Sequence, residues 1–349
     1  MMLRGLLKIF ALLALLVPSI WAQVPTERRP APKLPFVKEV PETPFDAPPG
    51  TFTVVVLPDT QYYAKAYPEV FMRQTEWIAR NKDRHNIRFV LHEGDITDDN
   101  LPAQWEVARK AMNVLSDAGI PYVLVPGNHD IGAGGKARER TSGLNGSFSA
   151  EDYRHSGKVG YFEEGKLENT WHEFETPWGD FLVIALEFGP RDEVLEWANK
   201  AAAEHAQDRV IVLTHSYMGC GTERTESAKS YLGDQKGSVN GAQEMWNKLL
   251  FLQPNMRLVL SGHITGAGYR KDRGLKGNTV HQMLVDYQAS PNALYGPEDI
   301  HPDRSWGGGG YLRLLQFLPD GKTLRVRSYS PWYDNWRDEP NQQFEVRIE

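Results

Sequence analysis

Five short polar runs, each directly behind an apolar one, carry side chains able to bind a metal ion or move a proton. Asp59-Thr60-Gln61 follows the apolar residues 54–57, and His92-Glu93-Gly94-Asp95-Ile96-Thr97-Asp98 follows 89–91. Gly127-Asn128-His129-Asp130 follows 122–125, while His215 and His263 stand just behind 210–213 and 257–260. Carboxylate oxygens, imidazole nitrogens and an amide oxygen are the donors that divalent cations take from proteins. One such residue behind a strand usually only makes a turn. Five in register are hard to ascribe to turn chemistry.

The apolar runs must be the elements that position these residues. Residues 54–57 are rich in β-branched side chains and stop at Pro58; 122–125 stop at Pro126; 89–91, 181–186, 210–213 and 257–260 are also strand-like. Between them the spacing predicts helices over 68–81, 104–118, 193–205 and 242–251. Continuous apolar strands separated by helices predict a buried sheet covered by helices. In such sheets ligands bind outside the carboxyl ends of the strands, so the five polar runs can converge on one site. Gly94, Gly127 and Gly262 permit tight turns that aim them inward. Residues 281–287, 311–317 and 323–329, with the turn Pro319-Asp320-Gly321, read as antiparallel β structure. Residues 132–160 are rich in Gly, Ser and charge and read as a long functional loop or lid.

The chain has 349 residues, 41% of them apolar, and a net charge of −6. That is ample for a core and gives no reason to expect nucleic acid or an anionic membrane as a partner. Arg4 and Lys8 flank the start of an apolar run over 6–21 that ends at Ala22, the pattern of a signal peptide over 1–22. The alternative is an uncleaved membrane anchor. The signal reading places the protein outside the cytoplasm, secreted or periplasmic, with no stable membrane insertion after cleavage. Residues 23–50 are proline-rich and read as an extended tether, leaving 51–349 as the folded domain. Cys220 is the sole cysteine, so no intrachain disulfide can form and the core must supply stability.

In their order and spacing the polar runs resemble the calcineurin-like metallophosphoesterase superfamily. Its pattern is D-x-H, G-D-x-x-D, G-N-H-D or G-N-H-E, a lone His, then G-H-x-H. This sequence offers Asp59-Thr60-Gln61, residues 94–98, residues 127–130, His215 and Gly262-His263-Ile264-Thr265. The resemblance implies a four-layer α-β-β-α sandwich of two mixed sheets. It also implies two divalent metal ions, drawn from Mn, Fe, Zn or Mg. Asp95 would bridge them; Asn128, His215 and His263 would complete one metal, and Asp59 and Gln61 would hold the other. A hydroxide between the metals would attack the phosphorus of a phosphate ester, monoester or diester, in line. His129 would hydrogen-bond the phosphoryl or leaving oxygen, oriented by Asp130 or Asp98.

Two positions depart from the pattern, and both fall on the same metal. Gln61 replaces a His, and its amide oxygen favours Mn or Mg over Zn or Fe. Thr265 replaces the second His of G-H-x-H and is a poor ligand. His281 or Asp286 is a candidate substitute. These losses support a rival reading, a binding module with one metal that takes a phosphorylated or glycan ligand. Retention of His129 favours hydrolysis, because a binding module has no need of an acid.

Other residues carry two readings each. His92 either orients a metal ligand or is an ordinary strand-end histidine. Arg270 and Arg273 read as a surface pair in preference to a phosphate clamp. Residues 307–310, all glycine, read as a turn in preference to an anion nest. Trp332, Tyr333 and Trp336 read as packing in preference to a ring-binding platform. His155, His172 and His205 read as isolated surface or core histidines.

Overall fold

A strand with no polar face needs neighbours on both faces. Residues 52–57 meet that need as β1 (Phe52–Leu57), buried along its whole length. A computed structural model describes residues 36–42, 47–233, 237–288 and 305–348. After β1 come α1 (Gln61–Ala66), α2 (Pro68–Arg80), β2 (Ile87–His92), α3 (Pro102–Asp117) and β3 (Tyr122–Leu124). The middle of the chain adds α4 (Leu144–Ser147), β4 (Val159–Tyr161), β5 (Thr170–Thr176), β6 (Gly179–Leu186), α5 (Asp192–Glu204) and β7 (Arg209–Thr214). Then follow α6 (Ser227–Leu232), α7 (Ala242–Met245), β8 (Met256–Ser261), β9 (Gly266–Arg273) and β10 (Thr279–Asp286). The last strands are β11 (Leu312–Phe317), β12 (Thr323–Ser330), β13 (Asn335–Arg337) and β14 (Phe344–Arg347).

The strands form two seven-stranded mixed sheets. One has the order β13-β12-β11-β1-β2-β3, with β14 also on β12; the other has the order β4-β5-β6-β7-β8-β10-β9. β1, β2 and β3 run parallel, as do β6, β7, β8 and β10, so their carboxyl ends collect at one end of each sheet. Alternation along the second sheet separates two cores. Phe181, Val183, Ala185, Ile211, Leu213 and Leu258 join the core that also holds the first sheet. Their neighbours Leu182, Ile184, Val210, Val212 and Val259 pack instead with Val194, Leu195 and Ala198 of α5 and Met245 of α7. On the first sheet, α2 buries Phe71, Trp77 and Ile78, and α3 buries Trp105, Ala108, Met112 and Leu115 at helical spacing. Both helices begin with proline, whose missing N–H costs nothing in a first turn. The result is the expected α-β-β-α sandwich.

Three features depart from the sequence reading. β5 and β9 lack a continuous apolar run: β5 alternates buried with more exposed positions, and β9 ends on four charged residues, 270–273. The segment 132–160 is no free lid: Leu144, Phe148 and Tyr153 are buried in the core that holds the first sheet. Residues 36–42 of the expected tether lie along α2. There Arg73 donates to the carbonyls of Val37 and Lys38 at 2.7 and 3.0 Å, Arg80 donates to Val40 at 2.6 Å, and Phe36 stacks on Trp332. The expected signal peptide, 1–22, lies outside the described residues. No helix among the described residues is long and apolar enough to cross a membrane.

One buried histidine gives the fold an acid limit. His172 on β5 is fully buried, with Phe89 and Tyr153 at ring distances of 5.9 and 4.7 Å. Burial pushes its imidazole down to about 3. The unfolded chain protonates this ring near the ordinary histidine value of about 6.5. Between about 3 and about 6.5 the unfolded state therefore binds the extra proton, and stability rises with pH at up to about 1.4 kcal/mol per unit. His172→Phe is expected to flatten that slope in urea titrations run in chelator from pH 6 to pH 4. Parallel curves for variant and wild type would show that His172 takes up no proton on unfolding.

Candidate metal centre

The loops behind the parallel strands are held together before any ligand is considered. Asp95 and His263 adopt left-handed backbone, φ 45° and 73°, a conformation that side chains other than Asn, Asp and Gly reach at a cost. The His263 N–H donates to both carboxylate oxygens of Asp59, at 3.2 Å each, which holds that turn. Close approach explains two glycines. A Cβ on Gly127 would stand 2.1 Å from Asp95 Oδ1, and one on Gly262 would stand 2.1 Å from Asp59 Oδ1. Asp130 clamps the Asp95 and Asn128 loops together. Its oxygens accept from the N–H groups of Ile96, Thr97 and Gly127 and from the Thr97 hydroxyl, at 2.7–3.0 Å.

His92 has a similar part. The Gly94 N–H faces its Nδ1 at 3.2 Å, so that nitrogen accepts and Nε2 must carry the proton. Nε2 then donates to the Thr60 hydroxyl at 3.0 Å, which in turn faces the Ile96 carbonyl at 3.3 Å. Burial, then the charge of His215, pushes the ring down to about 3, so it stays neutral. His92 thus orients the loops of Asp59 and Asp95 without reaching the cluster itself.

The first cluster centres on His215 Nε2. Asp95 Oδ1 and His263 Nδ1 lie 3.2 Å from it, and Asn128 Oδ1 lies 3.1 Å from it. The ligating atoms of Asp95, His215 and His263 all fall within 4.8 Å of one another, the spread of donors around one ion. His215 Nδ1 faces the Glu93 carbonyl at 2.8 Å and donates to it, which leaves the Nε2 lone pair aimed into the cluster. Phe188, behind β6, packs on the rings of His215 and His263, and Tyr231 of α6 covers His263. Burial alone would raise the Asp95 carboxyl, but the imidazoles of His215, His129 and His263 hold it well below the usual range. Burial, then His215, pushes His263 down to about 3, keeping it a neutral donor.

A second cluster surrounds Asp59. Gln61, at the start of α1, is 1% exposed; its amide N–H donates to the Gln288 amide oxygen, while its own Oε1 has no partner. Gln288 Nε2 reaches Asp59 Oδ2 at 3.3 Å. Asp286, at the end of β10, is 0% exposed; one of its oxygens accepts the Gln288 N–H at 2.7 Å and the other, Oδ2, has no partner. Glu93 Oε2 is likewise buried without a partner. Burial, then the neighbouring Asp286 and Asp95, raises the Asp59 carboxyl well above its ordinary value. Asp286 itself is pushed up to about 7, chiefly by burial. Orphaned oxygens beside crowded carboxylates are a donor set that fits a cation.

His129 stands at the mouth, with 32% of its side chain exposed. Its N–H donates to Asp95 Oδ1 at 2.9 Å, and its ring Nδ1 lies 2.7 Å from the Asp98 carbonyl. Of the two carboxylates expected to orient it, Asp98 is the one within reach, 3.4 Å from Nδ1 and itself anchored by Lys65. Asp130 does not touch the ring, because its oxygens are spent on the clamp described above. His281 is bound to Tyr269 and the Arg347 carbonyl, and Arg270 to Asp272, so neither joins the site. Arg273 donates to the Gly277 carbonyl. Trp332 and Tyr333 are packed in the core. Sequence reasoning missed Gln288, although Asp286-Tyr287-Gln288 repeats, behind another buried strand, the D-x-Q of Asp59-Thr60-Gln61.

Residues 52–265 match the family model described as calcineurin-like phosphoesterase. Over 289 residues the chain is 33% identical to the Bacillus subtilis (strain 168) protein YvnB; the match covers 80% of this chain and 20% of YvnB. The chain thus spans about a fifth of that relative's length. Among solved structures, the purple acid phosphatase PPD1 from yellow lupin (Lupinus luteus) seeds is similar in fold, with TM-score 0.51 and 16% identity over 85% of this chain and 54% of that one. The 5'-nucleotidase precursor from Thermus thermophilus follows at TM-score 0.43 and 13% identity, covering 85% and 54% of the two chains.

Proposed function

The chain belongs to the calcineurin-like phosphoesterase family, and on that premise we propose that it hydrolyses phosphate esters, outside the cytoplasm, with two divalent cations. The observation that carries the proposal is the convergence of Asp95, Asn128, His215 and His263 on one point, with His129 at the mouth. Asp95, Asn128, His215 and His263 would hold one cation, and Asp59 and Gln61 would help to hold the other. When bound, such cations acidify a water and offset charge on the phosphoryl oxygens.

The chain's own residues do the rest. Asn128 turns its carbonyl oxygen to His215, which leaves its amide N–H groups to donate to a phosphate oxygen. His129 donates from Nδ1 to the Asp98 carbonyl, so its Nε2 is the nitrogen left to face the ester. Burial lowers the His129 pKa, but Asp95 and the bond to Asp98 outweigh it and hold the ring above its ordinary value. An imidazole that keeps its proton to higher pH is suited to protonate a leaving oxygen.

The test uses the full chain stripped by chelator, then reloaded with Mn, and assayed on an aryl phosphate monoester and a diester. Turnover of at least one is expected to vanish with the metal and to return with it. Expressed with its leader, the active protein is expected in the exported fraction with Gln23 as its first residue. Absence of turnover with Mn, Mg, Fe or Zn, by the wild type and by the Gln61→His, Thr265→His double variant, would sink the hydrolase reading. Activity confined to the cytoplasmic fraction would remove the export.

A further inference from the structure

The match to the family model ends at residue 265, ahead of β10 and the two residues that face Asp59 from behind it. We infer that Asp286, with Asp59 and Gln61, closes an oxygen-only seat for the second cation, and that Gln288 holds the last two in place. The inference deepens the hydrolase reading and rests on it for the use of the seat.

Topology brings Asp286 there. β10 lies next to β8 and runs parallel to it, so its carboxyl end opens at the same end of the sheet as His263. Asp286 is its last residue. Gln288 then joins the two loops, because its amide N–H reaches Asp59 and its amide oxygen accepts from Gln61. Two D-x-Q units, each behind a buried strand, are thereby tied to each other.

Three oxygens in this pocket are fully buried and unpartnered: Gln61 Oε1, Glu93 Oε2 and Asp286 Oδ2. Proteins rarely bury such atoms without a hydrogen bond or a metal. The nearby Arg313 guanidinium does not take them up, since it donates to Ser328, Gln342 and the carbonyls of Leu284 and Asn341. Carboxylates and an amide carbonyl are hard donors and suit Mn or Mg, whereas the first seat carries two imidazoles and suits Zn or Fe as well. The two seats therefore differ in the cations they favour. Asp286 supplies the charge that Gln61 and Thr265, both uncharged, do not.

The test counts metal and does not depend on turnover. Full-length wild type and Asp286→Asn are stripped, dialysed against Mn, and examined by elemental analysis and electron paramagnetic resonance. Wild type is expected to hold two Mn per chain with a spin-coupled spectrum. Asp286→Asn is expected to hold one, with the spectrum of an isolated ion, and to melt in chelator like the wild type. Gln288→Leu, at a half-buried position, is expected to weaken the second Mn by about 10–100-fold, as loss of an outer partner of a metal ligand does. It carries the test should Asp286→Asn lose the fold. Two coupled Mn in Asp286→Asn, unaltered affinity in Gln288→Leu, or a single Mn in the wild type would overturn the assignment. Two coupled Mn in a wild type that hydrolyses no ester would leave the seat standing and remove the hydrolase reading.

Discussion

Asp95→Asn is expected to lose both metal occupancy and hydrolysis while keeping the fold. Loss of an outer partner of a metal ligand already costs about 10–100-fold in affinity or activity, and in the proposed site Asp95 would be a direct donor to both cations. The drop in turnover should therefore exceed about 100-fold. An asparagine keeps the shape, and its carbonyl oxygen can still accept the His129 N–H that Asp95 Oδ1 accepts at 2.9 Å. It removes one buried carboxylate and leaves Asp59, Glu93, Asp130 and Asp286 buried around the site. Without metal, the variant should be less stable than the wild type, because the imidazoles of His215, His129 and His263 lose the carboxylate that they hold in its charged form. With metal, the wild type should gain stability that the variant does not, about 2.7 kcal/mol at a concentration 100 times the dissociation constant. Thermal melts with and without Mn, beside elemental analysis and turnover, make the comparison. Activity surviving in Asp95→Asn would show that no bridging carboxylate is needed here.

His129→Gln should separate chemistry from metal binding. The contact of residue 129 with Asp95 is made by its backbone N–H, so any side chain there preserves it. Metal content should stay at the wild-type value while kcat falls by about 10²–10⁴-fold, the usual contribution of a positioned acid. The fall should be steepest for esters with a basic leaving group and shallow for acidic phenols, which leave without a proton. The pH profile provides a second readout. Asp95 and Asp98 raise the His129 pKa, so the acid form persists upward in pH and activity declines as pH rises through that value. In His129→Gln that basic limb should be absent. Equal losses for all leaving groups would assign His129 a placing role and leave the proton to another group.

The meeting of Asp95, Asn128, His215 and His263 could be read from the chain almost whole. Asp95, Asn128, His215 and His263 each follow an apolar run too continuous to be anything but a buried strand, and parallel strands bring such residues to one end of a sheet. The glycines that allow the close approach of Asp95 and Asn128 were visible for the same reason, since a turn behind a buried strand leaves little room for a Cβ. β5 was less visible. His172 occupies a core position there, and Glu173 and Glu175 alternate with it on the other face, so the strand has no apolar run to betray it.

The cluster around Asp59 came from long-range packing. Nothing local says that β10 inserts beside β8 and sends β9 to the edge, because strand order is set by contacts between distant segments. That arrangement brings Asp286 and Gln288 to Asp59 and Gln61, more than two hundred residues away in sequence. The orientation of His129 has the same origin. Asp98 and Asp130, on two neighbouring loops, both offer a carboxylate to the imidazole, and only the folded backbone selects Asp98 and reserves Asp130 for the clamp. The types of the candidate site residues, their order and the strands that carry them were all legible along the chain, because burial and turn chemistry are local demands on residue type. Which of those residues meet depended on which strands became neighbours, and that is a property of the assembled sheets.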